Sequence, residues 1–266
     1  MSTDLQFDKV EVGSDICGAN IDETADGAFT APQTRRAVLG RAAVGLMAVG
    51  GAASLAGRAG AAGSADSVAQ VLGLIVTQEQ FGVTFLTEAV RRAPGTPSAR
   101  FLPVLKAANT TEFDHVRGLR RLGARPLTSR YWIPDAAFGA GRAGLFASID
   151  AVETIELSMY LIGVTVMTQR KQAFGARLCA EAMATESEHR VLARSAETAL
   201  GGRKLLPNNI SFAPYHLRTV AAVKAAAEKL GIGYGEEGAA PGKFYDYPGN
   251  PLANGTGLRT IVRSPG

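Results

Sequence analysis

The sequence predicts an all-α protein: a four-helix bundle with one long crossover connection, followed by a fifth helix and an irregular tail. Three observations carry that prediction. Ala and Gly are abundant while aromatic residues make up only 7% of 266, a composition suited to closely packed helices rather than sheets. Four blocks repeat apolar residues at helical spacing. A Gly- and Pro-rich stretch, 123–144, separates them into two pairs and is too long for an ordinary connection in a compact domain. With 46% hydrophobic residues, the chain can bury a substantial core.

Residues 1–33 carry seven acids against one base, Lys9, with no helical or strand periodicity. They read as a disordered acidic lead. In residues 34–61 the pair Arg35-Arg36 precedes a weakly apolar run, Ala42 to Ala56, and a small-residue exit at Ala59-Gly60-Ala61. That layout resembles a twin-arginine-type export signal. The run is shorter and milder than the roughly 20 apolar residues a spanning helix needs, so the mature form is expected in the periplasm or cell envelope with no stable membrane span. An uncleaved anchor is the competing reading. Loss of this leader removes Cys17 and leaves Cys179 unpaired, which excludes a disulfide framework or a zinc site of paired cysteines. Cys179, between Leu178 and Ala180, reads as a small buried apolar residue.

Without the leader the net charge is roughly +6. The densest basic group, Arg117, Arg120, Arg121 and Arg125, falls at a predicted helix C-terminus, where the backbone dipole favours cations. No aromatic-basic platform accompanies it, which argues against nucleic acid as a partner.

The bundle is expected over 66–202. Leu72, Ile75, Glu79, Gly82, Leu86 and Val90 mark the first stripe, ending before Pro94. Leu105, Ala108, Glu112, His115, Leu119 and Leu122 mark the second, stopped by Gly123 and Pro126. Ile149, Val152, Glu153, Glu156, Tyr160, Val164 and Met167 form the third. Leu178, Ala182, Glu186, His189, Ala193 and Ala196 form the fourth, closed by Gly201 and Gly202. Short links at APGTP and around 170–172 make each pair antiparallel neighbours, and the long connection carries the chain from one end of the bundle to the other. Over 203–266, a fifth helix from about Pro214 to Leu230 precedes a Gly/Pro-rich tail in which no chemistry is evident.

Each stripe places an ionisable residue where the core should be. An isolated carboxylate there costs several kcal/mol unless it is paired or bound to a cation. Residues three apart share a helix face, so Glu112-x-x-His115 and Glu186-x-x-His189 each offer a carboxylate and an imidazole to one site. Glu79 precedes Glu112 by 33 residues, and Glu153 precedes Glu186 by the same interval. Each hairpin thus repeats one pattern around a pseudo-twofold axis, the arrangement of a dinuclear carboxylate centre.

Glu79, TEFDH, the Glu153 helix and TESEH resemble the bacterioferritin and rubrerythrin type of ferritin-like domain, especially exported ferritin-like proteins akin to desiccation-related proteins. The resemblance covers about Asp66 to Leu200. It implies Glu79 and Glu153 as terminal carboxylates, Glu112 and Glu186 as bridging carboxylates, and His115 and His189 as imidazole ligands of two Fe or Mn ions per chain. Oxygen and nitrogen donors without thiolate also favour Fe or Mn over soft metals. The implied activity is that of a ferroxidase, or a peroxidase- or catalase-like oxidoreductase, with metal ions and O₂ or peroxide as partners. A non-catalytic metal-binding or structural stress protein is the alternative, and self-association is left open. The chain departs from the family in lacking placeable haem-binding features, rubredoxin-like cysteines and a cage-forming C-terminal helix.

Glu156, three residues after Glu153, reads as an extra ligand or a support for an imidazole N–H, or as a partly exposed acid. Tyr160, a turn further, either donates to a ligand carboxylate or fills the core with its hydroxyl satisfied. Asp114 and Glu188 point away as surface charges, His216 caps or lies on the surface, and Trp132 anchors the crossover to the bundle.

Overall fold

The computed structural model describes residues 66–139, 144–202, 217–259 and 261. The segments expected to be an acidic lead and an export signal, and His216, lie outside the described residues. Four long helices stand where the stripes place them: α1 (Val68–Arg92), α2 (Leu102–Arg121), α3 (Leu145–Gln169) and α4 (Ala173–Ala199). A shorter α5 (Val220–Lys229) follows. Ser67 and Gln70 form a reciprocal capping box at the start of α1, which satisfies backbone N–H groups that would otherwise lack partners. Helices α1 and α2 turn through Gly95, whose φ of 76° suits a residue without a Cβ. Between α3 and α4 the break at 170–172 is real: Lys171 takes a φ of 58°, so the chain reverses within three residues.

The crossover runs alongside α1. Gly73 lies against the Arg125 carbonyl. The Leu127 N–H donates to Thr77 Oγ1 at 2.8 Å, Tyr131 Oη donates to Gln80 Oε1 at 3.2 Å, and the Phe138 ring meets Phe85 at 5.2 Å. Contacts from Gly73 to Phe85 span about 18 Å of helix. The connection therefore climbs the bundle, as its length predicts.

Its conformation does not match an all-α chain. Residues Arg130–Pro134 form β1, the central strand of a three-stranded antiparallel sheet with β2 (Gly233–Tyr234) and β3 (Gly242–Asp246) from the tail. Tyr131 pairs with Tyr234 and Tyr245, and Trp132 with Gly233 and Phe244. Alternation explains the strand: Tyr131 and Ile133 are fully buried against the bundle, while Trp132 turns to the other face. Trp132 thus anchors the tail rather than pinning the crossover to the helices. Its indole N–H donates to the Ala240 carbonyl at 2.9 Å, and its ring meets Phe244 edge-on at 5.1 Å. The tail is likewise more ordered than expected. Thr256 closes a buried hydrogen-bond group with Asn109 and Thr87, and the Leu258 N–H donates to the Lys106 carbonyl at 3.1 Å.

The apolar core divides into two. One part gathers Ile75, Val116, Leu119, Met159, Ile162 and Leu178; the other gathers Phe81, Leu86, Leu105, Tyr131, Ile149 and Ala193. On every long helix the boundary between these sets carries at least one of the six cluster residues: Glu79 on α1, Glu112 and His115 on α2, Glu153 on α3, and Glu186 and His189 on α4. Cys179 is fully buried, as expected, where α3 and α4 approach closely: a Cβ at Gly163 would stand 2.8 Å from its sulfur. No helix among the described residues is long and apolar enough to cross a membrane.

Candidate metal centre

The polar band between the two cores collects all six residues drawn from the sequence. Glu79, Glu112, His115 and Glu186 form one group, and Glu112, Glu153, Glu186 and His189 form a second. Within each group the donor atoms lie within 4.8 Å of one another. Glu112 and Glu186 belong to both groups, and each of the other four residues belongs to one. Helical spacing produces this directly, since each Glu-x-x-His pair comes from successive turns of one face.

Glu186 spans the two groups through its own two oxygens. Oε1 lies 2.7 Å from His115 Nδ1, and Oε2 lies 2.9 Å from His189 Nδ1. His115 Nδ1 also faces Glu79 Oε2 at 3.2 Å, and His189 Nδ1 faces Glu112 Oε1 at 3.1 Å and Glu153 Oε1 at 3.7 Å. A ring nitrogen carries at most one proton. One N–H cannot satisfy two or three converging carboxylates, so acceptors outnumber donors here.

The donor set fits a pair of cations. It is oxygen and nitrogen only, and Glu112 Oε2 and Glu153 Oε2 are buried with no hydrogen-bond partner. Glycine at position 82 leaves room for the shared carboxylate: a Cβ there would stand 3.3 Å from Glu112 Oε2. Buried polar atoms without partners are rare and costly. A cation between these oxygens removes that cost.

Burial and the neighbouring carboxylates push Glu112, Glu153 and Glu156 well above the ordinary carboxylate range. Glu79 is also raised, with burial outweighing the pull of His115. Burial works against ionisation of Glu186 too, but the two imidazoles overcome it and hold that carboxyl low. His189 is pushed up to about 10: burial opposes, and hydrogen bonds and charge from Glu112 and Glu186 prevail. His115 is raised well above its ordinary value in the same way, by Glu186 and Glu79.

Protons therefore occupy the metal-free cluster, with a consequence for stability. Folded metal-free protein binds the His189 proton more tightly than the unfolded chain does, so that stabilisation is complete below about 6.5 and is lost as pH rises toward 10. The raised carboxylates act in the same direction, from about 4.5 upward, while Glu186 contributes the opposite trend only in acid. The melting temperature of metal-free protein should fall between pH 6.5 and 9.5, and metal should flatten that slope by replacing the protons. Circular-dichroism melts with and without chelator measure this; a metal-free Tm that climbs over the interval would contradict a protonated cluster.

Around the six residues lies a supporting set. Tyr160 Oη donates to Glu79 Oε1, so its hydroxyl is satisfied by a cluster carboxylate, the donor role and the core-filling role at once. Glu156 is 1% exposed, which excludes the partly exposed reading, and its Oε1 accepts from Gln78 Nε2 at 3.1 Å. Tyr234 Oη in turn donates to Gln78 Oε1. Sequence reasoning missed Gln78 and Tyr234. The available signal was TQEQ at 77–80, four consecutive polar residues that are all fully buried: Gln78 and Glu79 face Glu156 and the cluster, and the crossover covers Thr77 and Gln80. Asp114 is half-buried beside Arg117 at 3.0 Å, and Glu188 is exposed, so only Glu188 is a plain surface charge. Comparison with protein-family models, with curated proteins and with solved structures finds no match to this chain.

Proposed function

We propose that this chain is a ferritin-like dimetal-carboxylate protein holding two Fe or Mn ions. One ion would sit between Glu79 and His115 and the other between Glu153 and His189, with Glu112 and Glu186 shared. The observation that supports this most is the pair of buried donor groups with two carboxylates in common. Bound at such a centre, the two ions would supply +2/+3 electron exchange with O₂ or peroxide, which is the basis for reading the protein as an oxidase of Fe(II) or a reductase of O₂ or peroxide.

The chain's own residues would set the conditions for that chemistry. Tyr160 orients Glu79 by its hydrogen bond, and Gln78 does the same for Glu156. The cluster carboxylates are almost fully buried, which strengthens their hold on a cation. Cys179 offers no competing thiolate, because burial and then Glu79 push it up to about 12. Export through the Arg35-Arg36 signal belongs to the same proposal, since the twin-arginine route carries folded cargo.

Elemental analysis of protein recovered from the envelope tests the reading. The expected result is about two Fe or Mn per chain, with His115→Ala losing at least one and O₂ or peroxide consumption falling with it. Metal retained without consumption above background would select the non-catalytic stress-protein alternative. Absence of metal from correctly localised protein would end the proposal, and full-length protein held in the cytoplasm would remove its export component.

A further inference from the structure

We propose that the gap between α2 and α4 is a binding pocket for a neutral, apolar organic molecule, an alkyl chain or a single aromatic ring, held against the Glu153/His189 end of the cluster. The proposal deepens the dimetal reading and rests on it. Helices α2 and α4, which carry the two Glu-x-x-His pairs, touch each other far less than each touches its hairpin partner. A cavity of about 380 Å³, open to solvent on its outer side, occupies the gap. Leu86, Leu105, Ala108, Phe146, Ile149 and Leu192 form its walls, so all four long helices contribute hydrocarbon.

The inner end is different. Glu153 and His189 form part of the lining there, and Glu153, only 3% exposed, carries a carboxylate oxygen without a hydrogen-bond partner. An apolar chamber with a few converging polar groups at one end, in the range of about 300–1,000 Å³, is the form of a small-molecule site. The volume far exceeds what O₂ or peroxide requires, given that a water molecule takes up about 30 Å³ of the liquid. The walls also disfavour a hydrated cation as cargo. Such an ion would shed water against hydrocarbon, with Glu188 the one acid besides Glu153 in the lining. A neutral apolar molecule meets neither objection. Leu192, 46% exposed at the rim, would gain cover from it.

The test uses full-length Mn(II)-loaded protein and 1-decanol, followed by proton NMR. Decanol should bind saturably, with its resonances broadened by the paramagnetic ion beyond what metal-free protein produces. Affinity should fall about tenfold or more in Ala108→Trp, which fills the chamber, and in Leu192→Trp, which narrows the rim at an exposed position. Both variants should keep the wild-type metal content. Absence of saturable binding to wild type, or undiminished binding to both variants, would overturn the proposal; so would saturable binding without extra broadening when metal analysis finds both ions. If wild type carries no metal, the dimetal reading fails by itself, and the variants still decide whether the chamber takes decanol.

Discussion

Glu186→Ala should empty both halves of the cluster, whereas Glu79→Ala should leave about one ion per chain. The difference follows from connectivity. Glu186 presents one oxygen to His115 and the other to His189, and it belongs to both donor groups. Glu79 belongs to one, so its loss leaves Glu112, Glu153, Glu186 and His189 in place. The substitution carries a second cost in metal-free protein, because two imidazoles raised by Glu186 lose their main counter-charge. Removing one partner of a buried charged pair costs about 3–5 kcal/mol. Metal content by elemental analysis and urea melts of the chelated proteins measure the two effects separately. Glu186→Ala protein with both ions still bound would refute the shared-carboxylate assignment.

Tyr131→Ala should be the most damaging change outside the cluster, at about 3–5 kcal/mol of stability, by analogy with other buried aromatic truncations. Tyr131 is fully buried, lies edge-on to Phe81 at 5.9 Å and to Tyr234 at 6.3 Å, and places its one hydroxyl proton between the Thr128 carbonyl at 3.0 Å and Gln80 Oε1 at 3.2 Å. Its loss opens a cavity where the crossover meets α1. It also leaves Gln80 Oε1 without its Tyr131 partner and frees the neighbour that holds Gln78 toward Glu156. Tyr131→Phe keeps the ring and gives up only the hydroxyl, for about 1 kcal/mol. Denaturant midpoints for the two variants should therefore differ widely; similar midpoints would mean that the ring does not hold the crossover in place.

The helices and the six cluster residues were legible because both depend on local periodicity. A stripe at 3.6-residue spacing names its face without reference to any other helix, and an acid on that face stands out. The equal 33-residue intervals then brought the two hairpins into register. The sheet was not legible, since RYWIP and GKFYD are short, lie among Gly and Pro, and become strands only through each other. Glu156 stayed ambiguous for a related reason. Whether a residue on the edge of a stripe is buried depends on what packs over that edge, and here α1 supplies Gln78 as a partner. Trp132 reads from the sequence as a bundle anchor because nothing near it reveals the tail strand on which it rests.

The hydrogen bond from Tyr234 to Gln78 joins positions 156 residues apart, and the central strand lies between two segments from the last third of the chain. Each helical hairpin, by contrast, closes through neighbours in sequence, so the hairpins can assemble while the remainder of the polypeptide is still being synthesised. The brace on Gln78 then arrives last. Termination of the chain ahead of position 233 would remove the Tyr234 bond and leave the Gln78 amide held only by Glu156.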